Sequence, residues 1–438
     1  MSGEPQITVG VLRAERIAFV LQGGYRDNEG RNVEGEQSVR YVQNGIEWNG
    51  AVYERLCFTP SDKSSKFLLR DVVIGIGFHW QRTEDQTFRG GLEFIVEDGM
   101  LTAVNRIGVE SYLFSVIASE MSASASPALL RAHAVISRSW VLAQIAQRDT
   151  SSRTKSCRNE SQKNDPYSRI RWYDREEHTL YDVCADDHCQ RYQGITRTYG
   201  HEQAVREAIE ATWGEVLTYD GTICDARFSK CCGGVSEAFE SCWEEVPHPY
   251  LIPVRDSGET RELPDLTDEA AAERWITTYP ESYCDTQDPT VLGQVLNGYD
   301  RETSDFYRWQ VSYTAEELSD LVARRSGIDF GTILNLVPVE RGASGRLVRL
   351  KIVGTKRAMI IGKELEIRRI LSETHLYSSA FVVRREGNRF ILLGAGWGHG
   401  VGLCQIGAAV MGAKGIPYDR ILLHYYTGAR IEKLYERE

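Results

Sequence analysis

The spacing of apolar positions changes along the chain, and the change marks where strands give way to helices. Between residue 6 and about 104, short apolar runs such as Ile7-Thr8-Val9-Gly10-Val11-Leu12, Arg16 to Leu21, Phe67 to Leu69 and Val72 to Phe78 are broken by Gly, Asn and Asp. Their length and β-branching predict strands. From Val109 to Met121 the spacing becomes three and four, placing Leu113, Val116, Ile117 and Glu120 on one face of a helix. A second helix is predicted with Ser126 as N-cap and Pro127 at its first position. It runs through Ala146 and is apolar or small almost all round, the mark of a central helix. Asp149 to Asp174 is polar and irregular and predicts an exposed loop leading to a Cys/His segment at 178–189.

Beyond that loop, Glu202 to Thr212 predicts a helix, and Glu215 to Tyr219 with Ile223 to Phe228 predicts strands joined at Asp220-Gly221, a hairpin signal. A helix over Ala315 to Arg325, followed by strands at Leu347 to Val353 and Met359 to Ile361, suggests an inserted α+β subdomain at about 300–382. The last segment reads as strand, glycine loop and helix. The expected fold class is α+β: a mixed, β-rich core with a few central helices. The expected division is an N-terminal β-rich region at 1–104 and a second domain at 105–438 that carries the insert.

Composition narrows the function classes. Of 438 residues, 51 are Lys or Arg and 62 Asp or Glu, a net charge of −11. With no long basic run, the chain lacks the footprint of a nucleic-acid binder, and a neutral or sugar-like ligand fits better. No stretch of about 18 apolar residues predicts a membrane span. The opening residues MSGEPQITVG lack the basic-then-apolar pattern of a secretory signal. The ten cysteines are scattered, unlike a small disulfide framework, so most are expected as buried free thiols.

Four groups of residues could carry chemistry. Glu120 is a carboxyl on an apolar helix face near the helix C-terminus, where desolvation and the helix dipole both disfavour the anion. A raised pKa is therefore expected, the state a general acid needs. The bland alternative is a half-exposed glutamate paired with a cation. Glu110, in the first turn of the same helix, is expected to complement the dipole. The run Gly394 to Gly402 holds five glycines in nine residues, allowing close backbone approach to a ligand, and it presents His399 either to a cleft or to a backbone partner. It has no Gly-Lys-Ser/Thr ending to suggest a phosphate loop. Gln405 follows at a helix start and could orient a sugar hydroxyl. Tyr425 and Tyr426 could stack on a sugar ring or fill the core.

His178, Cys184, His188 and Cys189 place two imidazoles and two thiols within twelve residues, a set suited to tetrahedral zinc; a Cys184–Cys189 disulfide is the alternative. Four ligands on one ion would make the site structural and closed to water, which argues against a zinc peptidase. Finally, Ser229-Lys230-Cys231-Cys232-Gly233-Gly234 could hold a Cys nucleophile with His201 or His399 as base, although a tight turn is the plainer account.

Taken together the motifs resemble a known family. Glu110-Ser111-Tyr112-Leu113 through Ala118-Ser119-Glu120-Met121, Ala128 to Val135, Ser137-Arg138-Ser139-Trp140, Cys189-Gln190 with Tyr192-Gln193-Gly194, and Ala211-Thr212-Trp213-Gly214 carry the first part of the likeness. Cys232-Gly233-Gly234, Pro249-Tyr250-Leu251, Gly396 to Gly402, Gln405 to Ala408 and His424 to Gly428 carry the rest. Over roughly 105–434 they are similar to the stage II sporulation protein D and amidase-enhancer (SpoIID/LytB) family. Departures from its pattern are His133 for Gln, Trp140 for Tyr, and Leu403-Cys404 for Met-Ser.

The resemblance implies a lytic transglycosylase acting on peptidoglycan glycan strands. Glu120 would protonate the glycosidic oxygen, then as carboxylate remove the C6 hydroxyl proton while a 1,6-anhydromuramyl ring closes. No second carboxylate is needed to activate water. The same resemblance implies zinc on His178, Cys184, His188 and Cys189. It gives Arg138, His399, Gln405 and Tyr425 as glycan contacts, with a helix buttress as the other role for Arg138. Other family members are amidase enhancers, so a non-catalytic glycan-binding module with a cell-wall amidase as partner is the alternative. The cell envelope is the implied location, while the opening residues leave the cytoplasm open.

Overall fold

The computed structural model describes residues 3–437 apart from 44, 77–80, 152–161, 174–177, 197–201, 259–261 and 297–304, together with the side chains of 147–151. His201 lies outside the described residues. The fold is α+β, in two compact units. The first comprises Met1–Asp149, Arg175–Val216 and Glu432–Glu438; the second comprises Thr150–Asp174 and Leu217–Ile431.

The first unit is built on an 11-stranded sheet. Gln6–Ala14 pairs antiparallel with Met100–Gly108, and the sheet continues through Gly91–Glu97 and Leu56–Pro60 to Arg16–Arg26 and Asn32–Val42. Lys66–Ile74 branches from Arg16–Arg26 and pairs with Arg82–Arg89. Strict alternation along Arg16–Arg26 turns Ile17, Phe19 and Leu21 inward, as the two-residue strand period requires. Their ring partners Phe58 and Phe94 lie 5.4 and 5.0 Å from Phe19. At the far edge, the two-residue strand Val183–Cys184 pairs parallel with Val9 and Gly10, which fixes the Cys/His segment to the sheet.

The sheet leads directly into helix α1 (Val109–Glu120), followed by α2 (Pro127–Ser151). Ser126 caps α2 by accepting the Leu129 N–H at 3.3 Å, the expected chemistry for that residue type. Helix α1 differs from the single-stripe expectation. Every residue from Tyr112 to Ser119 is buried, as are Val109 and Glu110, while Ser111 is exposed and Glu120 half-buried. Glu120 therefore leaves the core at the end of a helix buried at every other position except Ser111.

The second unit contains the five-stranded sheet Gln162–Asp165, Ser168–Arg171, Ala358–Gly362, Leu347–Gly354 and Ile333–Arg341. A three-stranded sheet of Arg308–Thr314, Arg389–Ala395 and Phe381–Glu386 accompanies it. Helix Ala315–Ser326 begins at a capping box of Thr314 and Glu317 and ends at left-handed Gly327; Leu318 and Val322 face a core with Leu336, Leu350, Ile352, Phe381 and Leu392.

Two segments correct the sequence expectation. Part of 149–174 is not loop: α2 extends to Ser151, and Gln162–Asp165 with Ser168–Arg171 forms a hairpin that joins the sheet through Ala358–Gly362. Polar strands at a sheet edge carry no apolar alternation, so the period gives no signal. The turn is chemical instead, with Asp165 accepting from Tyr167 N–H at 2.7 Å and from the Ser168 hydroxyl. The expected strand from Ile223 to Phe228 is interrupted: Thr222–Ile223 completes the hairpin across Asp220 and Gly221, both at positive φ, whereas Phe228–Ser229 pairs parallel with Leu403–Cys404.

Candidate active site

In the first unit, one face of α1 organises the loop that follows the Cys/His segment. The Tyr112 hydroxyl donates to Gln190 Oε1 at 3.0 Å, the Ser115 hydroxyl to the Gly194 carbonyl at 2.8 Å, and Ser119 Oγ accepts the Gln193 N–H at 3.0 Å. Positions 112, 115 and 119 share a helix face. One residue on, Glu120 Oε1 accepts the Arg191 N–H at 2.9 Å. Tyr192 is stacked between Tyr112 and Phe88, at 5.0 and 5.4 Å, and donates to Asn105 Oδ1 at 2.5 Å. Gly194 has φ +74°, and a Cβ there would lie 2.3 Å from the Thr87 carbonyl oxygen, so only glycine lets the loop reach the sheet. A half-exposed carboxylate is thus held at the end of a rigid helix by a loop that the same helix anchors.

The other end of this loop carries the four expected metal ligands. One donor atom from each of His178, Cys184, His188 and Cys189 lies within 4.8 Å of all the others. The His178 and His188 rings meet edge to face at 5.2 Å, and Cys189 Sγ is 3.6 Å from His188 Nδ1. Both ring nitrogens of His178 are buried without a hydrogen-bond partner, a cost that a coordinated ion removes. Hydrogen bonding from Cys189, opposed by burial, holds the Cys184 thiol well below its ordinary value, toward the thiolate that ligation requires. The donor set fits a closed tetrahedral ion such as zinc. Between the thiols, burial and then the Asp187 charge push Asp186 up to about 6. Asp187 Oδ1 takes the Arg191 Nε–H at 2.6 Å, so Arg191 touches both Glu120 and the Cys/His loop.

Arg138 and Glu110 do something other than the sequence suggested. Arg138 is fully buried and Glu110 is 4% exposed. Arg138 Nε and Nη2 donate to the two Glu110 oxygens at 2.9 and 2.6 Å, and Nη1 donates to the Glu215 carbonyl at 2.9 Å. Glu110 also accepts from Gly214 N–H at 3.1 Å and the Tyr435 hydroxyl at 2.7 Å. This bidentate pair ties the start of α1 to the middle of α2. Arg138 is the helix buttress, enclosed away from any glycan, and Glu110 is an ion-pair partner rather than a lone dipole charge.

His399, Gln405 and Tyr425 belong to the second unit. Gln405 is 2% and Tyr425 0% exposed, and the Tyr425 hydroxyl donates to Asp256 Oδ1 at 2.6 Å, so both are interior side chains with no face for a sugar. His399 is half-buried. Its Nδ1 accepts the Val401 N–H at 3.0 Å, its ring meets Trp243 at 4.9 Å, and burial followed by the Arg227 charge holds it well below the usual imidazole range. It is a neutral histidine with a backbone partner.

The glycine run is shaped by the protein itself, not by a ligand. Gly400 and Gly402 have φ +79° and +71°. A Cβ on the first would meet the Arg346 guanidinium at 2.4 Å, and on the second the Arg227 carbonyl at 2.0 Å. Arg346, fully buried, donates to the carbonyls of Gly398 and Cys232 at 3.1 Å each. Sequence patterns did not single it out, since a lone arginine just ahead of a strand gives no periodic signal. Cys231 and Cys232 are buried and their thiols pushed well up by burial, the opposite of an activated nucleophile.

The comparisons agree with these motifs. Residues 97–219 match the family described as Stage II sporulation protein, and residues 237–402 match a domain of unknown function. The chain is 24% identical over 332 residues to stage II sporulation protein D of Bacillus amyloliquefaciens, covering 76% of each chain. It is 24% identical over 334 residues to the Bacillus subtilis protein of the same name, again covering 76% of each. A further relative, the amidase enhancer of Bacillus subtilis, is 24% identical over 249 residues, which is 53% of this chain but 33% of the relative. Residues 97–219, which hold Glu120 and the Cys/His loop, thus match the sporulation-protein family, and the chain is similar over about three quarters of its length to stage II sporulation protein D.

Proposed function

We propose that this protein cleaves peptidoglycan glycan strands as a lytic transglycosylase, with Glu120 as the single acid and base. The observation that carries this reading is the setting of Glu120: half-exposed, at the end of an otherwise enclosed helix, with one oxygen fixed by the Arg191 N–H. A carboxyl so placed can protonate a glycosidic oxygen and then, as carboxylate, accept the C6 hydroxyl proton. Closing the 1,6-anhydro ring consumes that hydroxyl as the internal nucleophile, so no activated water is required. Four ligands from His178, Cys184, His188 and Cys189 would make zinc a structural ion that holds the 184–194 loop in place. On this reading the protein acts in the cell envelope.

The name of one relative, amidase enhancer, favours a second reading in which the same domain binds glycan and stimulates a cell-wall amidase. Incubation with intact and with peptide-stripped peptidoglycan separates the two. Anhydromuramyl ends support cleavage. Intact strands, with a separately added amidase accelerated, support the enhancer. Products with reducing ends would contradict both and direct attention to Asp186 and Asp187 as carboxylates for activating water.

A further inference from the structure

A second cluster of metal-ligand type lies in the core of the second unit. One ligand atom each from Cys232, Asp256, Cys284 and Cys404 lies within 4.8 Å of all the others, and all four residues are buried. They come from four separate segments. Cys232 follows the short strand Phe228–Ser229, and Asp256 follows the bridge between Val235 and Arg255. Cys284 sits in an irregular stretch, and Cys404 is the N-cap of helix Gln405–Ala413.

The surroundings favour a thiolate at Cys404 and hold a fixed carboxylate. Cys404 Sγ accepts the N–H groups of Cys232 at 3.2 Å and Gly407 at 3.4 Å, and Cys232 Sγ accepts that of Gly234 at 3.4 Å. Buried sulfur that receives two backbone N–H bonds at a helix start is placed as an anion would be. Asp256 Oδ1 takes the Tyr425 hydroxyl at 2.6 Å and Oδ2 the Cys284 N–H at 2.9 Å, and among the described residues no lysine or arginine pairs with it. A Cβ on Gly407 would lie 2.4 Å from the Tyr425 hydroxyl oxygen and 2.6 Å from Asp256 Oδ1, so glycine is required for the approach. A buried carboxylate beside three thiols, with no cation, is an arrangement that burial alone penalises.

We propose that Cys232, Asp256, Cys284 and Cys404 bind a structural zinc ion that ties the four segments together, with Tyr425 orienting the carboxylate ligand. Three sulfurs and one oxygen suit tetrahedral zinc and leave no open position. The site is independent of the glycan-cleavage reading and of the His178 cluster.

The test starts from the Cys184→Ser/Cys189→Ser variant, which removes the first cluster's thiols. Purified without chelating tags, this variant is expected to keep about one zinc per chain by elemental analysis, and its zinc absorption edge is expected to show about three sulfur neighbours near 2.3 Å and one oxygen near 2.0 Å. Adding Cys284→Ser removes the metal. Tyr425→Phe keeps the fold and weakens zinc retention against a competing chelator about 10- to 100-fold. Should either cysteine variant fail to fold, Tyr425→Phe in the otherwise unaltered chain still reports, because its loss of zinc leaves the first cluster's share intact. A folded Cys184→Ser/Cys189→Ser protein without metal would overturn the proposal. So would a Cys232–Cys284 disulfide in the freshly purified protein, iron with sulfide in place of zinc, or unchanged zinc retention in Tyr425→Phe.

Discussion

Replacing Arg138 by methionine separates a buttress from a ligand contact. The guanidinium is fully buried and spends its donors on Glu110 and on the Glu215 carbonyl. Its removal leaves the Glu110 carboxylate buried with two neutral donors, Gly214 N–H and the Tyr435 hydroxyl. Breaking a buried pair from one side costs about 3–5 kcal/mol. The two remaining donors hold this near the low end, at about 3, and the lost bond to the Glu215 carbonyl adds about 1 kcal/mol. A total of about 4 kcal/mol lowers the melting temperature of a unit of this size by roughly 8–16 °C. Thermal melts and urea titration of Arg138→Met, Glu110→Leu and the double variant measure it. The double variant is expected to be more stable than either single, because an apolar pair strands no charge. Arg138→Met with unchanged stability but weakened glycan binding would refute this reasoning and restore Arg138 as a substrate contact.

Other outcomes follow from the same geometry. Gly402→Ala forces a Cβ against the Arg227 carbonyl at a backbone φ of +71° and is expected to cost more than about 2 kcal/mol in urea unfolding. Because His399 is held well below its usual value by burial and by the Arg227 charge, its contribution to stability is complete above an unfolded pKa of about 6.5 and is lost as pH falls below that; unfolding midpoints at pH 7.5 and pH 5 should differ less in His399→Gln than in the parent. If His178, Cys184, His188 and Cys189 hold zinc as proposed, a chelator frees the loop that supplies the Arg191 N–H, so exchange of that amide should accelerate while amides in the Arg16–Arg26 strand keep their protection. Ser119→Ala leaves the buried Gln193 N–H without its acceptor and is expected to cost about 1–3 kcal/mol.

What the sequence disclosed depended on whether the signal was local. The helix around Glu120, the Ser126 cap, the Asp220-Gly221 turn and the 178–189 Cys/His cluster are written in short spacings, and each stands in the structure where the pattern placed it. Burial was legible only as an average. Helix α1 reads as one apolar stripe, yet serines at 115 and 119 are interior because each finds a backbone partner. Tyr425 and Arg138 carry polar ends that suggest a ligand, and their partners Asp256, Glu110 and the Glu215 carbonyl come from segments that spacing cannot bring together. The Cys232, Asp256, Cys284 and Cys404 cluster is hidden for the same reason. Its members are spread across the second unit, and only the fold makes them neighbours.

The most direct measurement compares the soluble products released from peptide-stripped peptidoglycan by the parent protein and by Glu120→Gln, identified by mass, with strand binding followed in parallel. Anhydromuramyl ends from the parent, and their absence with Glu120→Gln despite retained binding, are the predicted result. The same anhydromuramyl products from both proteins, or none from either, would contradict the assignment of Glu120 as the acid and base of glycan cleavage.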